Sequence, residues 1–477
     1  MQQRNKFLRK PKGNIDIDSL AHYELYNLRD SPFPSQPYVN MHASDDRYNG
    51  QIYEEEIREN EYKKIETNFL KVPQTDMNHI RLGFIMDTSY IGRGNGKSAF
   101  CVNLNNKINS EFCLDISDEV NKCFGLYITP EVKGKTKSFD DVSTLIFDGL
   151  IDSRIIEYSL AMLRGQAILH EYPGFDLDNK IENEEDFISK MNDINWFENE
   201  NLKIDKLTNF ILSNEYLKDI GKEFPLYFDK SRFNFTGLIS QNNFVKFYKQ
   251  LKKSQEKYDF IFNDLVALFL ASGFNGSYLI LDDFERIPYH QSEKQKREFA
   301  LDIRTNLFDG IRLNSKIGFY NFLLIFHAGV PRLIEKSWGN SGMEQRCPVT
   351  NINRDSKHVV FFEKMDSNNA ILMIKKYLEE YRIDKQDEAK SGLYPFSEDA
   401  IKKIGEMSEF NASQILRSAN QVLDKAAQEK IESISADFVK NILNPEEQDE
   451  DEIKTDIISD DKYTDLINKA KDLPNEK

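Results

Sequence analysis

The chain has 477 residues, of which 40% are hydrophobic, 12% aromatic and 30% charged. This length predicts two or three domains, and the composition excludes collagen-like, low-complexity and wholly disordered proteins. The 79 acidic side chains outnumber the 63 lysines and arginines, which gives a formal net charge of −16. The overall field of such a protein does not attract DNA, so DNA contact would require a local basic patch or a partner.

The cysteines and the apolar segments indicate the cellular compartment. Cys101, Cys113, Cys123 and Cys347 follow no metal-binding spacing, and so few cysteines in a long chain are typical of reduced thiols. The basic N-terminal segment does not lead into the apolar stretch of a secretory signal. No segment approaches the roughly 18 apolar residues of a membrane helix. We therefore expect a cytoplasmic protein that does not bind membranes.

Apolar patterns predict the secondary structure in chain order. A proline-punctuated extended segment at 31–37 is followed by a helix at 52–70 and a strand at 82–86. A second helix begins at Lys97, and a second strand lies at 123–129. A mostly helical segment from about 140 to 270 precedes strands at 278–281 and 322–326. From 358 onward the pattern is helical throughout, with Ser397 and Ser413 as predicted caps.

These elements predict four parts of the chain. They are an N-terminal strap and helix (1–80), a core (81–357) that contains the helical insertion, a helical domain (358–444) and a C-terminal tail (445–477). The tail is strongly acidic, because six of the seven residues from 446 to 452 are aspartate or glutamate. The folded body is therefore less acidic than the whole chain.

The segment after the strand at 82–86 has the composition of a phosphate-binding loop. It reads Gly92-Arg93-Gly94-Asn95-Gly96-Lys97-Ser98 and continues into a predicted helix through Ala99. Glycines let backbone N–H groups converge on phosphates, Lys97 would reach the β- and γ-phosphates, and Ser98 would bind Mg²⁺. Ile91 stands where the pattern G-x-x-x-x-G-K-[ST] has its first glycine. The alternative is a glycine-rich turn before a surface helix.

A second candidate site follows the apolar strand at 278–281. The strand ends in Asp282-Asp283-Phe284-Glu285. In ATPases with a phosphate loop, one such acid orients Mg²⁺ and the next polarises the attacking water. We assign Asp282 to the metal and Asp283 to the catalytic base, with Glu285 as an alternative base. A buried strand that merely ends in a polar turn is the other interpretation.

The strand at 322–326 ends at His327. Because polar residues at the carboxyl end of a parallel strand face the ligand crevice, His327 is a candidate sensor of the γ-phosphate. A partly buried histidine satisfied by the backbone is an equally good interpretation.

Together these segments resemble the AAA+ ATPases. The chain looks most like their initiator (origin-recognition) clade and the related transposition-regulator ATPases. The resemblance rests on GRGNGKS, YLILDDFE, FHAGVPRL and the stretch from Phe361 to Leu443, and it excludes most of 140–260. It implies an α/β fold: a three-layer core with a parallel sheet, a large helical insertion and a C-terminal all-α lid.

The resemblance also implies further site residues. A lid arginine is expected where this chain has Ser413-Gln414, and Arg417 is the nearest substitute. An arginine finger is expected as well. The sequence does not choose between the candidates Arg286, Arg304, Arg312, Arg332 and Arg346, of which Arg332 is placed among the catalytic residues. The segment with Asn49, Gly50 and Ile52 lies where this family holds adenine.

The expected function is Mg²⁺-dependent binding and hydrolysis of ATP. The nucleotide, held between core and lid, would switch self-assembly or binding of an effector protein in a bacterial DNA-transaction or anti-phage defence system. One alternative is a nucleotide-gated scaffold or sensor that hardly hydrolyses ATP. Another is a DNA-binding loader, although clusters such as Lys133-Lys135-Lys137, Lys252-Lys253 and Lys294-Lys296-Arg297 are more typical of solvated faces.

Overall fold

The computed structural model describes residues 23–70, 79–88, 94–112, 122–131, 134–221, 224–227 and 239–443. Gly92, Arg93, Cys113 and the acidic segment at 446–452 lie outside the described residues. Of the described residues, 38–365 form one compact unit, and 23–37 together with 366–443 form the other. We call them the sheet unit and the helical unit.

The sheet unit is built on five parallel strands. They are β1 (Leu82–Asp87), β2 (Lys122–Ile128), β3 (Phe274–Leu281), β4 (Tyr320–Phe326) and β5 (Val359–Phe362), in the order β2-β3-β4-β1-β5. Their nearly continuous apolar sequences suit strands that are buried on both faces, as parallel sheets require. The predicted α/β class with a parallel sheet is confirmed.

The strand β5 shows that the prediction for the segment after residue 358 was wrong. The sequence from 358 onward is not helical throughout, because Val359–Phe362 pairs with β1 from Phe84 to Asp87. Backbone hydrogen bonds therefore hold this segment in the sheet unit, and the boundary between the units lies after Met365 rather than at 357. The other boundary, after Pro37, also differs from the expected one at 80.

Helices cover this sheet. In chain order they are α1 (Glu59–Asn68), α2 (Lys97–Lys107), α3 (Phe139–Asp152), α4 (Ile155–Glu171), α5 (Glu184–Met191), α6 (Ile194–Asn199), α7 (Ile204–Leu212), α8 (Gln241–Gln250), α9 (Ser254–Asp259), α10 (Val266–Ala271), α11 (Glu293–Leu307), α12 (Leu313–Ile317) and α13 (Val330–Ser341). Capping boxes begin α3 at Ser138 and α11 at Ser292, which satisfies backbone N–H groups of the first turn. The predicted insertion corresponds to α3 through α10.

Side chains alternate between the two faces of the sheet. In β1, Phe84 and Met86 belong to one buried cluster with α13 and the insertion helices, whereas Ile85 belongs to another with α1 and α2. The same alternation occurs in β4, as the period of two in a strand requires. The sheet is thus the middle of three layers. The insertion shares the larger cluster, so its inner helices and the sheet have one continuous core.

The helical unit contains α14 (Ser367–Glu380), α15 (Glu398–Met407), α16 (Ala412–Glu429) and α17 (Ala436–Ile442). Ser397 caps α15 as predicted, but Asn411 rather than Ser413 caps α16. Residues 23–37 pack into this unit. The ring centroid of Phe33 lies 6.0 Å from that of Tyr377 and 6.1 Å from that of Phe396, and the carbonyl of Tyr26 accepts a hydrogen bond from buried Arg382 at 2.7 Å.

Candidate functional site

The topology of the sheet favours one edge as a ligand site. β1 and β4 are neighbours, but α2 follows β1 on one face of the sheet and α13 follows β4 on the other. In open parallel sheets, ligands bind outside the carboxyl ends of strands whose connections diverge in this way. The crevice at the ends of β1 and β4 is therefore the candidate site. The glycine loop starts at this edge, and His327 lies at it.

The end of the glycine loop has the backbone geometry that a phosphate site needs. Gly94 and Gly96 have φ angles of 85° and 83°, in the left-handed region that favours glycine. Gly96 precedes α2, and among the described residues no side chain caps the N-terminus of this helix. Ser98 and Ala99 lie in its first turn. The first N–H groups of α2 therefore have no side-chain acceptor, which suits an anion.

Lys97 forms an ion pair that the sequence reasoning missed. Its ammonium donates to Oδ2 of Asp87, the last residue of β1, and the amide of Asn95 donates to Oδ1 of the same carboxylate at 3.0 Å. Asp87 is completely buried. Burial raises its pKa, although Lys97 and Asn95 act in the opposite direction. An acid at the end of an apolar strand before a glycine loop was the available sequence signal.

A buried arginine, Arg58, links the turn before α1 to this loop, and it too was missed. It lies in a 3₁₀ turn at Glu55–Arg58, before α1. Its guanidinium donates to the carbonyl of Asn95 at 3.2 Å, to that of Glu363 at 2.9 Å and to the Glu61 carboxylate at 2.8 Å. Its Cζ also lies 4.6 Å from the centre of the Phe362 ring. Arg58 therefore ties the loop to α1 and to β5.

Asp282 is held at the end of β3 by two donors. The hydroxyl of Tyr127 donates to Oδ2 at 2.6 Å, and the Asp283 N–H donates to Oδ1 at 2.9 Å. Burial and the charge of Asp282 raise the pKa of Tyr127. The charges of Asp282 and Lys97 both act on the buried thiol of Cys101 in α2, whose pKa burial raises. Tyr127, which holds Asp282, packs against the apolar cluster that contains Cys101 of α2.

The two candidate bases differ in their surroundings. Asp283 has a φ of 49°, and its carboxylate forms an ion pair with Arg286, which also donates to the carbonyl of Pro130 at 3.1 Å. The side chain of Asp283 is 37% exposed. Glu285 is buried in the following 3₁₀ turn. The ion pair engages the Asp283 carboxylate that would have to orient the attacking water.

His327 is half-buried at the end of β4. Its Nδ1 accepts the N–H of Gly329 at 3.1 Å, and its Nε2 lies 3.1 Å from the hydroxyl oxygen of Tyr289. Because Nδ1 accepts, the proton of the neutral ring is on Nε2, which donates to Tyr289. These contacts fit a partly buried histidine that is held by its neighbours. The position at the carboxyl end of β4 fits a sensor of the γ-phosphate. The sensor role stays a prediction.

The arginines selected from the sequence differ in their environments. Arg304 pairs with Asp309 at 3.0 Å, and buried Arg312 pairs with Asp259 at 3.0 Å. Both therefore have partners within the sheet unit. Arg332 is exposed near the start of α13. Arg417 is exposed on α16, in the helical unit.

The proposed adenine segment packs against α2. The Oδ1 atom of Asn49 accepts the Gln51 N–H at 2.9 Å, which closes a turn, and Ile52 is buried. Gly50 has a φ of 81°, and a Cβ there would lie 3.1 Å from Cγ1 of Val102. The structure thus brings Gly50, between Asn49 and Ile52, to the helix that begins at Lys97.

Lysines from the basic clusters form local ion pairs. Lys135 pairs with Glu131, Lys253 with Glu256, Lys294 with Glu298 and Lys296 with Glu293. Acids thus compensate these charges nearby, as on ordinary solvated faces. Within the described residues, no group of His, Cys, Asp and Glu side chains forms a metal site by itself, and no helix is long and apolar enough to cross a membrane.

Comparison with known proteins gives no relative: no family model, curated protein or solved structure matches this chain.

Proposed function

We propose that this chain is an Mg²⁺-dependent ATPase of the AAA+ type. The observation that carries the proposal is the convergence at one edge of the sheet of two elements with phosphate-site chemistry. The loop with Gly94 and Gly96 leads into the uncapped N-terminus of α2, and Asp282 at the end of β3 is bonded to Tyr127, which packs against the apolar cluster of the same helix. A cationic helix start beside an oriented carboxylate suits a nucleotide phosphate together with its metal.

The residues of the chain have distinct roles in this proposal. N–H groups of the loop and of the first turn of α2 would bind phosphate oxygens, and Lys97 would bind the terminal phosphates. The Ser98 hydroxyl and Asp282 would hold Mg²⁺, which neutralises phosphate charge when bound. Asp283 or Glu285 would orient the attacking water. In a neighbouring subunit, Arg332 would approach the phosphate, so that nucleotide state controls assembly or binding of an effector.

Equilibrium binding of ATP with Mg²⁺ tests the phosphate loop. Lys97→Ala should weaken binding at least about 100-fold, because a charge-assisted contact to phosphate is lost. Lys253→Ala, which removes an exposed lysine from the linker between α8 and α9, is the matched control and should bind like the wild type. ATP affinity that survives Lys97→Ala would refute the assignment.

The ion pair between Asp283 and Arg286 favours a second candidate function, a nucleotide-gated scaffold that binds ATP with little hydrolysis. Steady-state phosphate release separates the two. An ATPase should lose most of its turnover in Asp283→Asn or in Glu285→Gln, whichever acid is the base. Equal and negligible release by wild type and both variants, with intact ATP binding, would establish the scaffold.

A further inference from the structure

Asp87 holds the lysine on which phosphate binding is proposed to depend. Both of its carboxylate oxygens have partners in the glycine loop region, Lys97 at Oδ2 and Asn95 at Oδ1. Asp87 is 0% exposed, and the side chain of Lys97 is only 13% exposed. Solvent therefore screens this ion pair much less than a surface pair.

A fixed carboxylate at this position opposes phosphate binding in two ways. It neutralises the ammonium that would attract the phosphate, and its own negative charge repels the phosphate oxygens. Transfer of Lys97 to a phosphate would in addition leave a buried carboxylate without its cation, which is costly. All three effects lower the affinity for an anionic ligand.

We propose that Asp87 competes with phosphate for Lys97: it holds the ammonium in the absence of nucleotide, and nucleotide binding transfers Lys97 from the carboxylate to the phosphate. This inference rests on the proposed function, because it concerns the same loop. The apparent affinity for ATP is then lowered by the fraction of molecules in which Asp87 holds Lys97. Asp87 thereby sets the ATP concentration at which the protein responds.

Arg58, which is paired with Glu61, adds a second positive charge near the Asp87 carboxylate. Its positive charge acts on Asp87, and its guanidinium is bonded to the carbonyl of Asn95, whose amide donates to Asp87. Arg58 lies in the turn before α1 and is bonded to the loop at Asn95. Asp87 can therefore remain ionised and buried when Lys97 moves.

Calorimetric titration with ATP and Mg²⁺ tests the inference on the full chain. Asp87→Asn, which keeps the shape of the side chain and removes its charge, should bind ATP about tenfold more tightly than wild type. Asp87→Ser removes the charge and leaves room for a water, and it should show the same direction. Asp140→Asn breaks a partly buried pair with Lys257 at 2.8 Å in the same unit and should leave the affinity unchanged. Circular dichroism verifies the fold of each variant.

Other outcomes separate the inference from the proposed function. If both Asp87 variants bind ATP as tightly as wild type or more weakly, while Lys97→Ala loses binding, the competition is refuted and the phosphate loop stands. If they weaken binding only in the presence of Mg²⁺, Asp87 holds the metal and the competition is again refuted. If Lys97→Ala binds ATP like wild type, the proposed function itself fails.

Discussion

Tyr127→Phe tests how the carboxylate of Asp282 is held. The Tyr127 hydroxyl is one of the two donors to that carboxylate, at 2.6 Å. A hydrogen bond to an ionised group contributes about 1.5–3 kcal/mol, and loss of a partner that orients a metal ligand typically lowers metal affinity about 10–100-fold. If Asp282 binds Mg²⁺, the variant should require about 10–100 times more Mg²⁺ for half-maximal ATP hydrolysis.

The assay is a titration of Mg²⁺ at a fixed ATP concentration, with phosphate release and nucleotide binding as two readouts. ATP binding without Mg²⁺ should not change, because the Tyr127 hydroxyl acts on the carboxylate that is proposed to hold the metal. A variant that bound ATP poorly in both conditions would indicate damage to the fold rather than to the metal site.

Tyr320→Phe is the matched control. Tyr320 lies in β4 and is fully buried, and its hydroxyl has no hydrogen-bond partner within the part of the chain that the structure describes. Removing this hydroxyl should leave the Mg²⁺ titration unchanged and should not destabilise the protein. Identical Mg²⁺ midpoints for wild type, Tyr127→Phe and Tyr320→Phe would refute the orienting role of Tyr127.

Two further substitutions test packing and buried charge. Gly83→Ala would place a Cβ 2.0 Å from the ring of Phe69, so we expect urea denaturation to show a free energy of unfolding lower by about 1–3 kcal/mol. Gly339→Ala, with open space around the new Cβ, should not be destabilising. Equal losses of stability in the two variants would contradict this reasoning. Burial raises the pKa of Asp264 from 3.8 to about 7. An acid whose pKa is higher in the folded state lowers the stability as the pH rises from its unfolded to its folded pKa. Asp264→Asn should therefore stabilise the protein by up to about 4 kcal/mol at pH 8 and hardly at all near pH 4. An equal gain at both pH values would show that the raised pKa of Asp264 is not the reason.

The strands and the glycine loop were predictable because their signals are local. Runs such as those of β3 and β4 are apolar over most of their length, and only a strand covered on both faces accepts such a sequence. The start of α2 at Lys97 follows from the glycines before it. The structure also places Asp282 at the end of a buried strand, as expected.

Long-range pairings were not predictable from local pattern. The short strand β5 has only four residues, and its sequence does not show that it pairs with β1. Arg58 lies in a charged turn and Asp87 ends β1 before the glycine loop, but neither position shows in the sequence which residues it contacts. They matter because the fold brings both to Asn95.

The chain connectivity of the helical unit determines the order in which its parts are synthesised. It contains residues 23–37, yet the partners of that segment, such as Arg382 and Phe396, are synthesised only after the whole sheet unit. Domains form largely as units during synthesis. The sheet unit can therefore fold before Phe33 packs against Tyr377 and Phe396. The earliest described part of the chain is therefore among the last to reach its final place.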